Sequence, residues 1–268
     1  MTGIDWRSAL PADAPLPPPA YRDVCEAFRD GLDDVLGEGL VSLYLYGAVA
    51  FPRPEGWALD VDFHVLVAEP PTDAERRGLD RLHRRLADGS HYGRDLDGYY
   101  VFLADAGGSS PPTSAAGVFP STAGGVVAAP VDDAWALHRA AILAGRSVLL
   151  AGRDPRDVVV APTWPELLGA LRSELEFIVE HPEHAAFGVL NACRIAYSGS
   201  TGDVVVSKAA AAGWGMSSEP AWRPALEAGI RFYTGRRSSG DDDRLAAARP
   251  SVIAAAEAAL GGGRSTQR

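Results

Sequence analysis

The chain has 268 residues, room for one large domain or two ordinary ones, and its 47% hydrophobic fraction is enough for real cores. A net charge of −10 argues against a general nucleic-acid binder, which needs a basic face, and is compatible with cationic partners or with solubility alone. The two cysteines, Cys25 and Cys193, lie far apart in apolar helical patterns and read as buried free thiols, not as a disulfide framework or a metal site.

Residues 1–19 are proline-rich from Pro11 onward and read as a loose arm or an ordered wrap. From Tyr21 the apolar residues Val24, Phe28, Leu32, Val35 and Leu36 recur at helical spacing, and Gly37 and Gly39 close that helix. Leu40–Tyr46 is a buried strand that ends in a glycine turn at Gly47. A loop with Pro52, Pro54 and Gly56 follows, then a strand over Asp60–Val67. Thr72 and Glu75 have capping-box spacing, and residues 73–87 form a helix with Leu79, Leu82 and Leu86 on one face. Asp95–Leu103 is a third strand, residues 106–129 a loop of Gly, Ser, Pro, Thr and Ala, residues 132–143 a helix, and Ser147–Gly152 a short strand. Strands alternating with helices in this way predict a mixed sheet with helices packed on it.

The pattern then becomes helical throughout. Thr163 caps a helix over 163–181, and further helices follow over 184–198, 207–214, 219–235 and 241–260. Pro250 is expected to kink or split the last of them. The expectation is an α+β fold: residues 1–157 a mixed-sheet domain, 158–260 a helical domain, and 261–268 a flexible tail. No basic segment followed by an apolar run opens the chain. No apolar run reaches the roughly 20 residues that span a bilayer, so a cytoplasmic protein is expected.

Asp60 and Asp62 stand one residue apart on a strand, so both project to the same face. Two adjacent carboxylates repel each other, and a divalent cation between them removes that cost; a solvated pair at a strand end is the simpler alternative. Gly47 lets backbone approach a phosphate chain, with the amide of Ala48 next to it, and Mg²⁺ takes carboxylates together with substrate phosphates. This is a phosphoryl-transfer arrangement. Asp97 is the candidate further carboxylate from the neighbouring strand, with Asp95 in reserve. His64 is expected on the face opposite the acidic pair or at its edge. Glu174, Glu176, Glu180 and Glu183 could attract a polycation, although a charge run on a helix is more often a solvated face.

Leu45-Tyr46-Gly47-Ala48, followed thirteen residues after the glycine by Asp60-Val61-Asp62, resembles the nucleotidyltransferase superfamily. Arg194-Ile195-Ala196-Tyr197, then Thr201-Gly202, Ser207-Lys208 and Arg231-Phe232-Tyr233, resembles the helical domain of aminoglycoside adenylyltransferases of the streptomycin and spectinomycin type. The ordered set spans roughly residues 25–235. The resemblance implies a nucleotidyltransferase domain followed by a helical bundle, with ATP bound between them. It implies that Arg194, Lys208 and Tyr233 meet the triphosphate and that Asp97 acts as base on the acceptor hydroxyl. The implied acceptor is a small molecule, of which a cationic amino sugar is the leading class, and a monomer or weak dimer is expected.

Three departures from the family pattern are visible. Ala48 and Leu59 stand where the family has serines, at a cost of around 1 kcal/mol for each lost donor. The family's acidic and amide residues for the aminoglycoside fall near His184 and Phe187, so the particular antibiotic does not carry over. The reading is therefore AMP transfer from ATP to a hydroxyl. The alternative is a nucleotidyltransferase fold that binds nucleotide or a small ligand without efficient turnover.

Overall fold

The computed structural model describes residues 3–108, 114–129 and 134–261. Parts of four expected features lie outside them: residues 1–2 of the arm, 109–113 of the loop, 132–133 at the start of the helix before Leu143, and 262–268 of the tail. Internal contacts divide the chain into two compact units, Met1–Pro52 with Leu59–Pro162, and Arg53–Ala58 with Thr163–Arg268.

The first unit opens with α1 (Trp6–Ala9), whose Trp6 is buried edge-on to Tyr21 and donates through Nε1 to Glu26 at 3.1 Å. Of the two expectations for this segment, the ordered wrap is the observed one. After α2 (Pro19–Leu36) come β1 (Leu40–Leu45), β2 (Val61–Val67), α3 (Asp73–Gly89), α4 (His91–Arg94), β3 (Leu96–Phe102), α5 (Leu103–Ala106), β4 (Ser114–Val118), α6 (Trp135–Leu143) and β5 (Val148–Gly152). The sheet has five strands in the order β4-β3-β2-β1-β5. The β2–β3 pair is parallel, as its crossover through α3 requires, and every other neighbour pair is antiparallel. Side-chain alternation gives each face its own core. Leu43, Leu45, Phe63, Val65 and Tyr100 meet Phe28 and Leu32 of α2 and Leu79 and Leu82 of α3. Tyr44, Leu66, Tyr99 and Val101 meet Trp135 and Ile142 of α6 on the other face.

Strand β4 corrects the reading of 106–129 as a loop. It is an edge strand of small residues, paired with β3 through Gly98↔Val118 and Tyr100↔Ala116. Alanine and glycine are depleted in strands, so composition conceals it. The expected helical caps are present. Thr72 and Glu75 exchange both bonds of a capping box, and the Thr163 N–H donates to Glu166 at 2.7 Å.

The second unit consists of α7 (Trp164–Glu180), α8 (Ala185–Thr201), α9 (Lys208–Ser218), α10 (Arg223–Tyr233) and α11 (Asp241–Gly261). Helix α8 is its centre, touching all four others. Gly199 lets α11 approach closely: a Cβ there would lie 2.8 Å from the Ala259 Cβ. Pro250 sits inside α11, which continues through it and is not split. Cys25 and Cys193 are both buried free thiols, and burial pushes Cys193 up to about 12. Among the described residues no helix is long and apolar enough to cross a membrane. A mixed sheet followed by helices is the α+β architecture.

Candidate functional site

The acidic cluster is built by the ends of β1, β2 and β3. After β1 the backbone enters positive φ at Gly47 (+68°) and makes one 3-10 turn over Gly47–Ala50. The same glycine makes room for a neighbour, because a Cβ here would collide with the Asp62 carboxylate. The Tyr46 N–H donates to the Asp62 carbonyl at 3.0 Å, which ties the turn to β2. In the parallel β2–β3 pair, Asp62 stands opposite Asp97. Residues paired in this way project to the same face, so Gly47, Asp62 and Asp97 share one corner of the sheet. Asp60 is exposed and stands just before β2, which begins at Val61 and not at Asp60 as expected.

The two missing hydroxyls have a packing explanation. Leu59 is 5% exposed and belongs to the core beneath the α2/α3 face, and Ala48 packs against the same core.

His64 does not lie on the face opposite the acidic pair. It follows Asp62 by two residues and therefore lies on the same face, one step further into the sheet. Its ring stacks on Tyr46 at 4.4 Å and lies 5.1 Å from the ring of His138. Burial first, and the nearby His138 second, hold His64 well below the usual histidine range, so it is a neutral ring. Neither ring nitrogen has a hydrogen-bond partner among the described residues.

In the second unit Lys208 is the first residue of α9, whose N-terminus is capped by Ser207 through a 3.0 Å bond from Ala210 N–H. Its Nζ lies 4.6 Å from the centre of the Phe187 ring and 5.4 Å from that of Tyr233. Trp57 stacks on Tyr233, parallel within 7° at 4.8 Å. Arg194 on α8 donates to Glu174 at 3.1 Å, and the same carboxylate oxygen accepts from the Asn191 amide at 2.5 Å. Glu174 is thus half-buried and bonded, which corrects its reading as part of a solvated face.

The structure therefore gathers Gly47, Asp62 and Asp97 in one unit, and Lys208 and Tyr233 in the other, while Arg194 stands with Glu174. Trp57 is nearly silent in the sequence. Its only signal was a large aromatic residue next to the loop glycine Gly56, three positions before Asp60. Phe187 stands out in sequence only as a departure from the family pattern, and its contact with Lys208 lies 21 residues away.

Among the described residues no three acidic, histidine or cysteine side chains converge as a ready-made metal cage. Mg²⁺ does not need one, since it keeps waters and takes one or two carboxylates with substrate phosphates. Asp60 and Asp62, with Asp97 beside Asp62, are an all-oxygen donor set of the type a hard cation takes.

Residues 165–260 match the sequence profile of the aminoglycoside adenylyltransferase C-terminal domain. A search of curated proteins finds no match. Among solved structures, spectinomycin adenyltransferase AAD(9) from Enterococcus faecialis, determined with ATP and spectinomycin, matches with a TM-score of 0.72. The two are 17% identical, and the match covers 88% of this chain and 98% of that one, so the likeness is one of fold. In its fold, and in the sequence of its helical half, the chain is aminoglycoside adenylyltransferase-like.

Proposed function

We propose that this chain transfers AMP from ATP to a hydroxyl of a small molecule and releases pyrophosphate, with Mg²⁺ as cofactor. The observation that carries the proposal is the register of β2 and β3, which sets Asp62 opposite Asp97 at a glycine turn. Gly47, in positive φ against the Asp62 carboxylate, makes the backbone turn that a phosphate chain would meet. Asp60 and Asp62 would hold Mg²⁺, which when bound draws charge from the phosphate oxygens. Asp97 accepts the proton of the acceptor hydroxyl as its oxygen attacks the α-phosphorus; the bond from that phosphorus to pyrophosphate breaks. Arg194, Lys208 and Tyr233 meet the triphosphate, the arginine as a fork and the lysine as a point charge. Catalysis on this scheme is positioning and charge stabilisation.

An amino sugar is the leading acceptor class. The adenyltransferase of the same fold was solved with spectinomycin, and the helical half matches an aminoglycoside family. A second reading, binding without efficient turnover, is favoured by Leu59, a buried apolar side chain where the family pattern has a serine.

Calorimetry with ATP and Mg²⁺, run beside pyrophosphate release over an aminoglycoside panel, separates the two. Transfer by the wild-type chain that vanishes in Asp60→Ala and Asp62→Ala is the expected result. Saturable ATP binding with no pyrophosphate under any acceptor favours the second reading.

A further inference from the structure

We infer that Phe187 and Trp57 are positioning residues for Lys208: with Tyr233 they form an aromatic clamp that holds its ammonium ready for a polyphosphate anion. The inference rests on the reading of Lys208 as a triphosphate ligand. A lysine side chain has four rotatable carbons and much rotamer entropy, so placing its charge at one point has a cost. Here two ring faces supply the restraint. Both ring centres lie within the roughly 6 Å over which a ring face attracts a cation.

Each ring is itself fixed. Phe187 sits in the first turn of α8, and Tyr233 is the last residue of α10. Tyr233 is braced by the segment Arg53–Ala58. Trp57 stacks on its ring, and the Ala58 N–H donates to its carbonyl at 2.6 Å. The segment turns at Gly56 with φ +77°, a conformation that favours glycine. A ring face attracts an ammonium without itself carrying a counter-charge. Arg194 is held differently, by the carboxylate of Glu174.

The test uses the full-length chain with inorganic tripolyphosphate as probe, followed by calorimetry, and ATP kinetics beside it. Lys208→Ala should weaken tripolyphosphate binding. Phe187→Leu and Trp57→Leu should each weaken it about 2- to 30-fold, the range a cation–π contact spans, and raise KM for ATP with kcat little changed. Phe187→Tyr and Trp57→Phe keep a ring and should bind like wild type. In the wild-type chain, ring currents should shift the Lys208 Hε resonances upfield, a signature that needs no variant. Unshifted Hε resonances, or Leu variants that bind tripolyphosphate like wild type while Lys208→Ala does not, would overturn the clamp and leave the role of Lys208 standing. Undiminished binding in Lys208→Ala would instead remove the reading on which the clamp rests.

Discussion

At Gly47 a positive φ and the Asp62 carboxylate both exclude a side chain, so the two effects add at one residue. Gly47→Ala should lower stability by about 1–3 kcal/mol, the cost of an L-residue held in left-handed backbone, as read from the denaturant midpoint. Asp97→Asn keeps the size of the side chain and removes its basicity. Turnover should fall about 10²- to 10⁴-fold with ATP affinity little changed; an equal loss in both would make Asp97 a ligand and not a base. Much of the acidic corner was legible at this scale. Asp-x-Asp after a glycine turn is a local pattern, and period-two alternation alone is sufficient to put His64 on the Asp62 face. What was hidden is depth: nothing local says that His64 is enclosed by Tyr46, Trp135 and His138, which come from another strand end and from α6.

Among the elements, those with strong periodicity and capping residues were readable, and those defined by pairing were not. Thr163 and Glu166 announce the start of α7 through side-chain bonds that any sequence displays. Strand β4 owes its existence to β3, and its alanines and glycine carry no signal of that partner. The close approach of α8 and α11 is likewise invisible until Ala259 is found over Gly199. Gly199→Leu should therefore cost about 1–3 kcal/mol by overpacking, again measured from the denaturant midpoint. Between α3 and β3, the His83 Nε2 lies 2.6 Å from the Tyr100 hydroxyl in a buried pair, and burial pushes His83 down to about 3. The folded pKa lies below the unfolded one near 6.5, so the unfolded chain binds the extra proton as pH falls. The stability of the neutral form is present above about pH 6.5 and is lost between there and about pH 3, at up to about 1.4 kcal/mol per pH unit. His83→Gln should flatten the dependence of unfolding free energy on pH between about 7 and 5, where carboxylates titrate little; an unchanged slope would contradict it.

Across the whole molecule, the change from sheet to helices was visible near residues 154–163, and the contact division falls between Pro162 and Thr163. The exception is Arg53–Ala58, which sits in sequence between two strands of the first unit yet packs with the second. Its partner is Tyr233, 176 residues beyond Trp57, and no local pattern announces a contact of that separation. The candidate site shows the same divide. Carboxylates and glycine turn were legible as a cluster, whereas the surroundings of Lys208 and Arg194 emerge only when the helices are packed. AMP transfer is tested most directly by simultaneous assay of pyrophosphate and of acceptor mass with ATP, Mg²⁺ and an amino-sugar panel. The wild-type chain should release one pyrophosphate per adenylylated acceptor, and Asp62→Ala should give neither product. Tight ATP binding with no adenylylated product, or equal product from Asp62→Ala, would contradict it.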